Sequence, residues 1–206
     1  MKKVIVVGGI LLAVLLFALF FHNEVDQKGI MRNSIICPKP LLIEAPVDLK
    51  NATSILYPGQ VRGGDYKRHG GFRFDSLFNN RVDVRAPIDA TLISGSRYLE
   101  NGNVQYMLDF ETECGIKFRF DHLLTLAPQI VNEMEKLPKP KERDSRTTSF
   151  QKRIFIKKGE IIAMEVGEKN NVFVDFGVYR IKGGINFERP TDNPICWFDL
   201  LQSEDE

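Results

Sequence analysis

The chain has 206 residues, of which 43% are hydrophobic and 27% are charged, and its formal net charge is +1. This is the composition of an ordinary globular protein, and it excludes wholesale disorder and collagen-like or low-complexity chains. The near-zero charge argues against a nucleic-acid binder, so we expect no nucleic-acid partner. Because the chain has only three cysteines, a zinc site of four cysteines is excluded.

The N-terminal segment predicts a membrane anchor. Residues 4–21 are an unbroken apolar run, and eighteen residues of helix rise about 27 Å, close to the thickness of the bilayer hydrocarbon. Lys2 and Lys3 precede the run, so the positive-inside rule predicts a single-pass membrane protein with an extracytoplasmic C-terminal domain. The alternatives are a cleaved signal peptide, whose usual small residues before the cleavage site are missing, and a buried core helix.

The chain as a whole is predicted to have three parts. Residues 1–21 are expected to form the transmembrane signal anchor, residues 22–40 a linker, and residues 41–206 an extracytoplasmic β domain. An extracytoplasmic location permits one disulfide, but the sequence does not choose among the pairings of Cys37, Cys114 and Cys196. Three unpaired thiols are the alternative.

Short strands separated by turn signals predict an all-β barrel or sandwich. The strand-like segments are, in chain order, residues 82–85, 90–93, 104–110, 115–120 and 171–179. Only residues 129–137 have helical spacing, and residues 111–115 are expected to connect a hairpin. Residues 136–152 carry eight charged residues and two prolines and are predicted to be an inserted exposed loop, either solvated or a flap over a groove.

The first cluster with chemical potential surrounds His69. Two glycines follow this histidine, and glycine allows close backbone approach or a positive φ. Alternation in the same segment would put Arg73 and Asp75 on one face and two phenylalanines on the other. A purely structural alternative is an ion-pair network in which Arg73 and Arg119 neutralise Asp75 and Asp175.

Two further clusters lie on predicted strands. Asp121 and His122 stand at the end of the strand that begins near residue 115. Asp175 lies between apolar residues in a strand otherwise suited to burial. Since a buried carboxylate needs a cation, a metal ion or several hydrogen-bond donors, Asp175 is a candidate site residue.

Taken in order, these motifs resemble those of the lysostaphin-type zinc metallopeptidases, which act on peptidoglycan cross-links. The family pattern is roughly H-x-G-x-D, V-x-A-P-x-D-G-x-V, Y-A-H-L, V-K-x-G-x-x-I-G and H-L-H-F-E-V, with an N-P-L-x-x-L ending. The matching segments here are residues 69–75, 84–92 (VRAPIDATL), 120–123 (FDHL), 156–163 (IKKGEIIA), 173–178 (FVDFGV) and 193–200 (NPICWFDL). The resemblance covers about residues 57–201 and implies a barrel-sandwich domain similar to the duplicated hybrid motif.

The resemblance also implies roles for individual residues. In the family, zinc is held by the His and Asp of H-x-G-x-D and by the second His of H-x-H, while the other two histidines act in acid–base or transition-state roles. His69 matches the first ligand, and Asp75 matches the second if two residues are inserted, since Arg73 stands four residues after His69. His122 matches the catalytic Y-A-H-L histidine. In place of H-x-H this chain has Phe173 and Asp175.

Two hypotheses about the site follow. In the first, His69, Asp75 and Asp175 hold one divalent metal, zinc in an active enzyme, although two carboxylates suit other divalent ions better, and His122 is catalytic. In the second, Arg73 or Arg119 neutralises the carboxylates and the groove binds without cutting, because a cationic side chain repels a metal.

At the level of function, the favoured expectation is a membrane-anchored, catalytically degenerate peptidase-like domain. Its partner would be peptidoglycan or a cell-wall hydrolase, since some degenerate family members regulate such hydrolases. The first alternative is an active, divergent metal-dependent peptidoglycan endopeptidase. The second alternative is a barrel-sandwich interaction module with no role at the cell wall.

Overall fold

The computed structural model describes residues 36–180 and 193–202. The predicted membrane anchor (residues 1–21) and residues 22–35 of the predicted linker lie outside the described residues. Within the part of the chain that is described, no helix has the length and hydrophobicity needed to cross a membrane.

The described residues are mostly β-strand, with one short α-helix, and the all-β prediction is confirmed. The strands are β1 (Ser54–Leu56), β2 (Val61–Arg62), β3 (Asp65–Tyr66), β4 (Gly70–Arg73), β5 (Arg81–Arg85), β6 (Ala90–Glu100), β7 (Asn103–Glu111), β8 (Ile116–Leu126), β9 (Thr148–Ile156), β10 (Ile161–Val166), β11 (Phe173–Arg180) and β12 (Asn193–Ile195). The helix α1 spans Pro128–Met134, and single 3-10 turns form at Leu49–Asn51 and Trp197–Leu200.

Antiparallel pairing joins ten strands in one sheet whose main path runs β1-β4-β11-β8-β7-β6-β9. Strand β10 pairs with both β8 and β5, and β12 pairs with β11. Strands β2 and β3 form a separate two-stranded ribbon. Among the described residues, the main path has free ends at β1 and β9 and does not close on itself.

The core lies on one face of the central strands. Along β11, Val174, Phe176 and Val178 are buried, whereas Phe173 and Asp175 on the opposite face are only partly buried. The ring of Phe176 stacks on that of Phe120, with 5.0 Å between the ring centroids. Because side chains alternate along a strand, burying the aromatic face of β11 turns Asp175 toward the other face.

Two strands are longer than the sequence indicates. The strand predicted over residues 90–93 was expected to stop there because Ser94 and Gly95 follow as turn signals. Instead β6 continues to Glu100, with a shift of register against β7 between Leu92 and Ser94. Strand β8 likewise continues past residue 120 to Leu126. The irregular part of the predicted 136–152 loop ends at residue 147, because Thr148–Ile156 pairs with β6 as β9.

Cys37 and Cys114 form a disulfide, and the described residue Cys196 is an exposed free thiol. Cys114 lies in the turn between β7 and β8, so the bridge ties residue 37 to that hairpin across 77 positions of sequence. The pairing was left open by the sequence, because it depends on which strands meet rather than on cysteine spacing.

Candidate functional site

Two imidazole side chains, from two different strand regions, lie near one carboxylate oxygen on a third strand. His69 Nε2 lies 2.8 Å from Asp175 Oδ2, and His122 Nε2 lies 3.8 Å from the same oxygen. Asp175 is in β11, which pairs with β4 on one side and β8 on the other. His69 directly precedes β4 and His122 is in β8, so the sheet register brings the three together.

The glycines that follow His69 allow β4 to lie directly against its neighbours. A Cβ at Gly71 would be 2.4 Å from the Val174 carbonyl oxygen and 3.1 Å from Asp175 Oδ1. A Cβ at Gly70 would be 2.2 Å from the Leu56 carbonyl oxygen. Close approach, and not a positive φ, is therefore the property that these glycines supply.

The contact between His69 and Asp175 is close but is not a well-formed hydrogen bond. His69 Nε2 is buried and has no partner with hydrogen-bond geometry, despite the 2.8 Å distance. Burial alone would raise the Asp175 pKa, but the adjacent His69, His122 and Arg62 outweigh it and hold that pKa below its ordinary value. The carboxylate is therefore kept ionised although its side chain is only 14% exposed.

His122 is held in an unusual backbone conformation. Its φ is +63°, in the left-handed region that residues with a Cβ rarely adopt. Asp121 Oδ1 accepts the His122 backbone N–H at 2.8 Å and the Tyr98 hydroxyl at 2.6 Å. The backbone N–H of Gly167 donates to the His122 carbonyl at 2.7 Å. These bonds stabilise a conformation that would otherwise cost about 1–2 kcal/mol.

Buried polar residues also set the proton arrangement of the His122 ring. Gln105 Nε2 donates to the Gly167 carbonyl at 3.1 Å, which turns Gln105 Oε1 toward His122 Nδ1 at 2.7 Å. An amide oxygen only accepts, so His122 Nδ1 carries the proton and Nε2 of the neutral ring keeps its lone pair. Such a nitrogen can accept a proton or bind a cation.

Arg62 is the site residue that sequence reasoning missed. Its Nη2 lies 3.9 Å from Asp175 Oδ1 and donates to the His69 carbonyl oxygen at 3.2 Å. Arg62 belongs to β2 in the two-stranded ribbon, within a polar segment that carries no motif. The one available signal was indirect, since a buried carboxylate at Asp175 needs a cation, a metal ion or several hydrogen-bond donors.

The structure places Arg73 and Asp75 with each other and not at the Asp175 carboxylate. Arg73 Nη2 lies 2.6 Å from Asp75 Oδ1 and donates to Asn171 Oδ1 at 3.1 Å. Thr53 Oγ1 donates to Asp75 Oδ2 at 3.0 Å. The hydrogen bond from Arg73, followed by that from Thr53, lowers the pKa of the exposed Asp75 carboxyl.

Arg119 and Phe173 have separate surroundings. Arg119 Nε donates to Asp109 Oδ1 at 2.6 Å, and Ser94 Oγ donates to Asp109 Oδ2 at 2.9 Å, so Arg119 neutralises a different, fully buried carboxylate. The Phe173 ring lies 4.4 Å from the His122 ring, centroid to centroid. Neither of the two arginines considered from the sequence contacts Asp175; Arg62 does.

Two imidazoles, one carboxylate and one guanidinium can bind a polar group and exchange protons with it. In the described ranges, no group of three or more His, Cys, Asp or Glu side chains has the arrangement of a metal site. Comparison of the chain with protein-family models, with curated proteins and with solved structures finds no match.

Proposed function

We propose that this chain is a membrane-anchored, extracytoplasmic domain of the lysostaphin-type peptidase class, with the barrel-sandwich fold of that class and a degenerate catalytic centre. It binds cell-wall peptide, or a wall hydrolase acting on that peptide, without cutting it. The proposal is supported by the order of the motifs that supply His69, His122 and Asp175, and by the meeting of these three side chains.

The position of Arg62 is the observation that supports the proposed loss of catalysis. Its guanidinium faces Asp175 at 3.9 Å, on the carboxylate that stands where the family has a zinc-binding histidine. A metal bound at Asp175 would have a fixed positive charge beside it, and like charges repel strongly in a partly buried site. The family's other ligand position, four residues after His69, holds Arg73, which is engaged with Asp75.

The extracytoplasmic location is supported by the Cys37–Cys114 disulfide, because such bridges persist in oxidising compartments and are rare in the cytosol. The apolar run at residues 4–21 supplies the membrane anchor in this proposal.

The experiment is a co-sedimentation assay in which the full chain, purified in non-ionic detergent, is mixed with purified sacculi. We expect the chain to pellet with the sacculi, to release no soluble wall fragments and to carry no stoichiometric metal. The double substitution His69→Ala and Asp175→Asn should reduce pelleting. The exposed pair Lys152→Gln and Lys169→Gln is the matched control and should leave pelleting unchanged.

A second candidate is the divergent metal enzyme. One observation favours it: His69 Nε2 and Asp175 Oδ2 are 2.8 Å apart without hydrogen-bond geometry, as two ligand atoms of one metal ion would be. Stoichiometric metal that is lost in His69→Ala, together with released wall fragments, would replace the first proposal by this one. A chain that neither pellets nor cuts would instead be an interaction module with no role at the wall.

A further inference from the structure

A cavity opens at the edge of β6, apart from the His69–Asp175 site. Strand β9 pairs with β6 as far as Thr148 opposite Gly95. Beyond a gap, the chain returns to β6 at Leu99, whose N–H donates to the Lys141 carbonyl at 3.0 Å. Between these two points the loop stands away from the strand, and the half-open space between loop and strand has a volume of about 300 Å³.

The loop side of this cavity is held in place by Arg97 of β6. Its Nε donates to the Pro138 carbonyl at 2.9 Å and its Nη2 to the Leu137 carbonyl at 2.7 Å. The wall of the cavity is therefore formed by a strand and by a loop that Arg97 joins to that strand. Its residues are not shared with the His69–Asp175 site.

The charge of the lining is strongly positive. Four cationic side chains line the cavity, Arg97, Lys139, Lys141 and Arg146, against one carboxylate, Asp144. Arg146 neutralises that carboxylate through two hydrogen bonds, at 2.7 and 2.6 Å.

Arg146, with a smaller contribution from Lys141, lowers the pKa of Asp144 to about 2. In the described parts of the chain, Lys139 and Lys141 form no ion pair, so their charges remain available to an anion.

From the cavity and the charge of its lining, we propose that this is a binding site for a small ligand that carries a carboxylate or phosphate group. The volume of about 300 Å³ lies at the lower end of the range for small-molecule sites, which leaves room for more than the anionic group itself. Lys139 and Lys141 attract the oxyanion and donate charge-assisted hydrogen bonds to it.

The test is isothermal titration of the full chain in non-ionic detergent at constant ionic strength. The probes are inorganic phosphate, N-acetylglycine and, as an uncharged match, N-acetylglycinamide. We expect saturable binding of phosphate, of N-acetylglycine or of both, and none of the amide. Binding of phosphate alone assigns a phosphate ligand, and binding of N-acetylglycine alone assigns a carboxylate ligand.

Variants locate the binding. Lys139→Gln combined with Lys141→Gln should weaken it by about tenfold or more, because charge-assisted hydrogen bonds are strong. The control pair Lys152→Gln and Lys169→Gln removes the same charge elsewhere and should leave it unchanged.

Equal binding of the amide, equal weakening in the control pair, or the lack of any saturable binding would overturn the proposal.

Discussion

His69 Nε2 and Asp175 Oδ2 lie 2.8 Å apart, closer than either His122 or Arg62 lies to that carboxylate. His69 Nε2 has no partner with hydrogen-bond geometry, so strand register and not a hydrogen bond sets this distance. The approach of β4 to β11 that permits it requires glycine at position 71. The pair is therefore a property of the sheet, and substituting either side chain should leave the fold in place.

The depressed Asp175 pKa predicts a specific loss of stability in acid. Because this pKa is lower in the folded chain than in the unfolded one, the carboxylate stabilises the fold above about pH 4, near the ordinary value. That contribution is lost as pH falls through the folded pKa. The free energy of unfolding of Asp175→Asn should therefore fall less than that of the native chain between pH 5 and pH 2.

Urea titrations across this pH range measure the effect of Asp175→Asn. Asp144→Asn is the control and should change the pH dependence little: Arg146 lowers the pKa of Asp144 as well, but the Arg146 side chain is 85% exposed, so water screens the pair. If the native chain is more stable than Asp175→Asn by the same free energy at pH 5 and at pH 2, the prediction is contradicted.

Arg62 is predicted to keep divalent metals out of the site. Removing its charge in Arg62→Gln should raise the affinity for Zn²⁺ by about tenfold. Two like charges about 4 Å apart repel each other by more than 1 kcal/mol at an effective dielectric of about 20, and this repulsion between the guanidinium and the metal would be lost. Competition with a zinc-binding dye measures the affinity. Lys67→Gln is the control, because Lys67 pairs with Asp65 and not with Asp175. This variant should bind Zn²⁺ as the native chain does.

The left-handed backbone at His122 predicts that glycine is tolerated there better than alanine. Both substitutions remove the ring and its hydrogen bond to Gln105, but only glycine adopts a φ of +63° without strain. We expect His122→Gly to be more stable than His122→Ala by about 1 kcal/mol, measured by chemical denaturation. The reverse order of stability would mean that the backbone at this position relaxes when the ring is removed.

The Cys37–Cys114 bridge is predicted to carry much of the stability of the domain. It closes a loop across 77 positions, and removing a bridge of this kind typically costs 2–4 kcal/mol. Cys37→Ser should lower the free energy of unfolding by about this amount under oxidising conditions. Cys196→Ser changes an exposed free thiol and should have little effect. Equal stability of the two variants would show that the bridge does not form.

Local pattern was sufficient to predict several strands but not their ends. Alternation in residues 82–85 survives in β5, where one face is buried and the other exposed. Residues 104–110 also form a strand, β7, but Met107 to Phe110 are all buried, so both faces are covered there. The predicted stop at Ser94 and Gly95 was wrong because glycine there serves close packing: a Cβ at Gly95 would lie 3.0 Å from the Met107 carbonyl oxygen. In a sequence, a glycine that ends a strand cannot be told from a glycine that permits close packing, and only the neighbouring strand distinguishes the two.

The site shows the same limit. The sequence indicated that Asp175 is a carboxylate in a strand suited to burial, and its need for a cation, a metal ion or several hydrogen-bond donors followed from elementary electrostatics. Which arginine supplies the charge could not be deduced, because Arg62, Arg73 and Arg119 differ only in which strands fold beside them. Arg73 lies beside Asp75, Arg119 beside Asp109, and Arg62 beside Asp175.

The bridge between Cys37 and Cys114 also has a mechanical consequence. When the chain is pulled from its two ends, force passes through the bridge from residue 37 directly to residue 114. The residues between them then bear no tension. As long as the bridge is intact, about 270 Å of chain, at roughly 3.5 Å per residue, cannot be extended. His69, Arg62 and the whole of β4 lie inside this shielded segment, whereas His122 and Asp175 lie outside it. Sustained stretching would thus act on one half of the site and spare the other until the sulfur–sulfur bond is reduced.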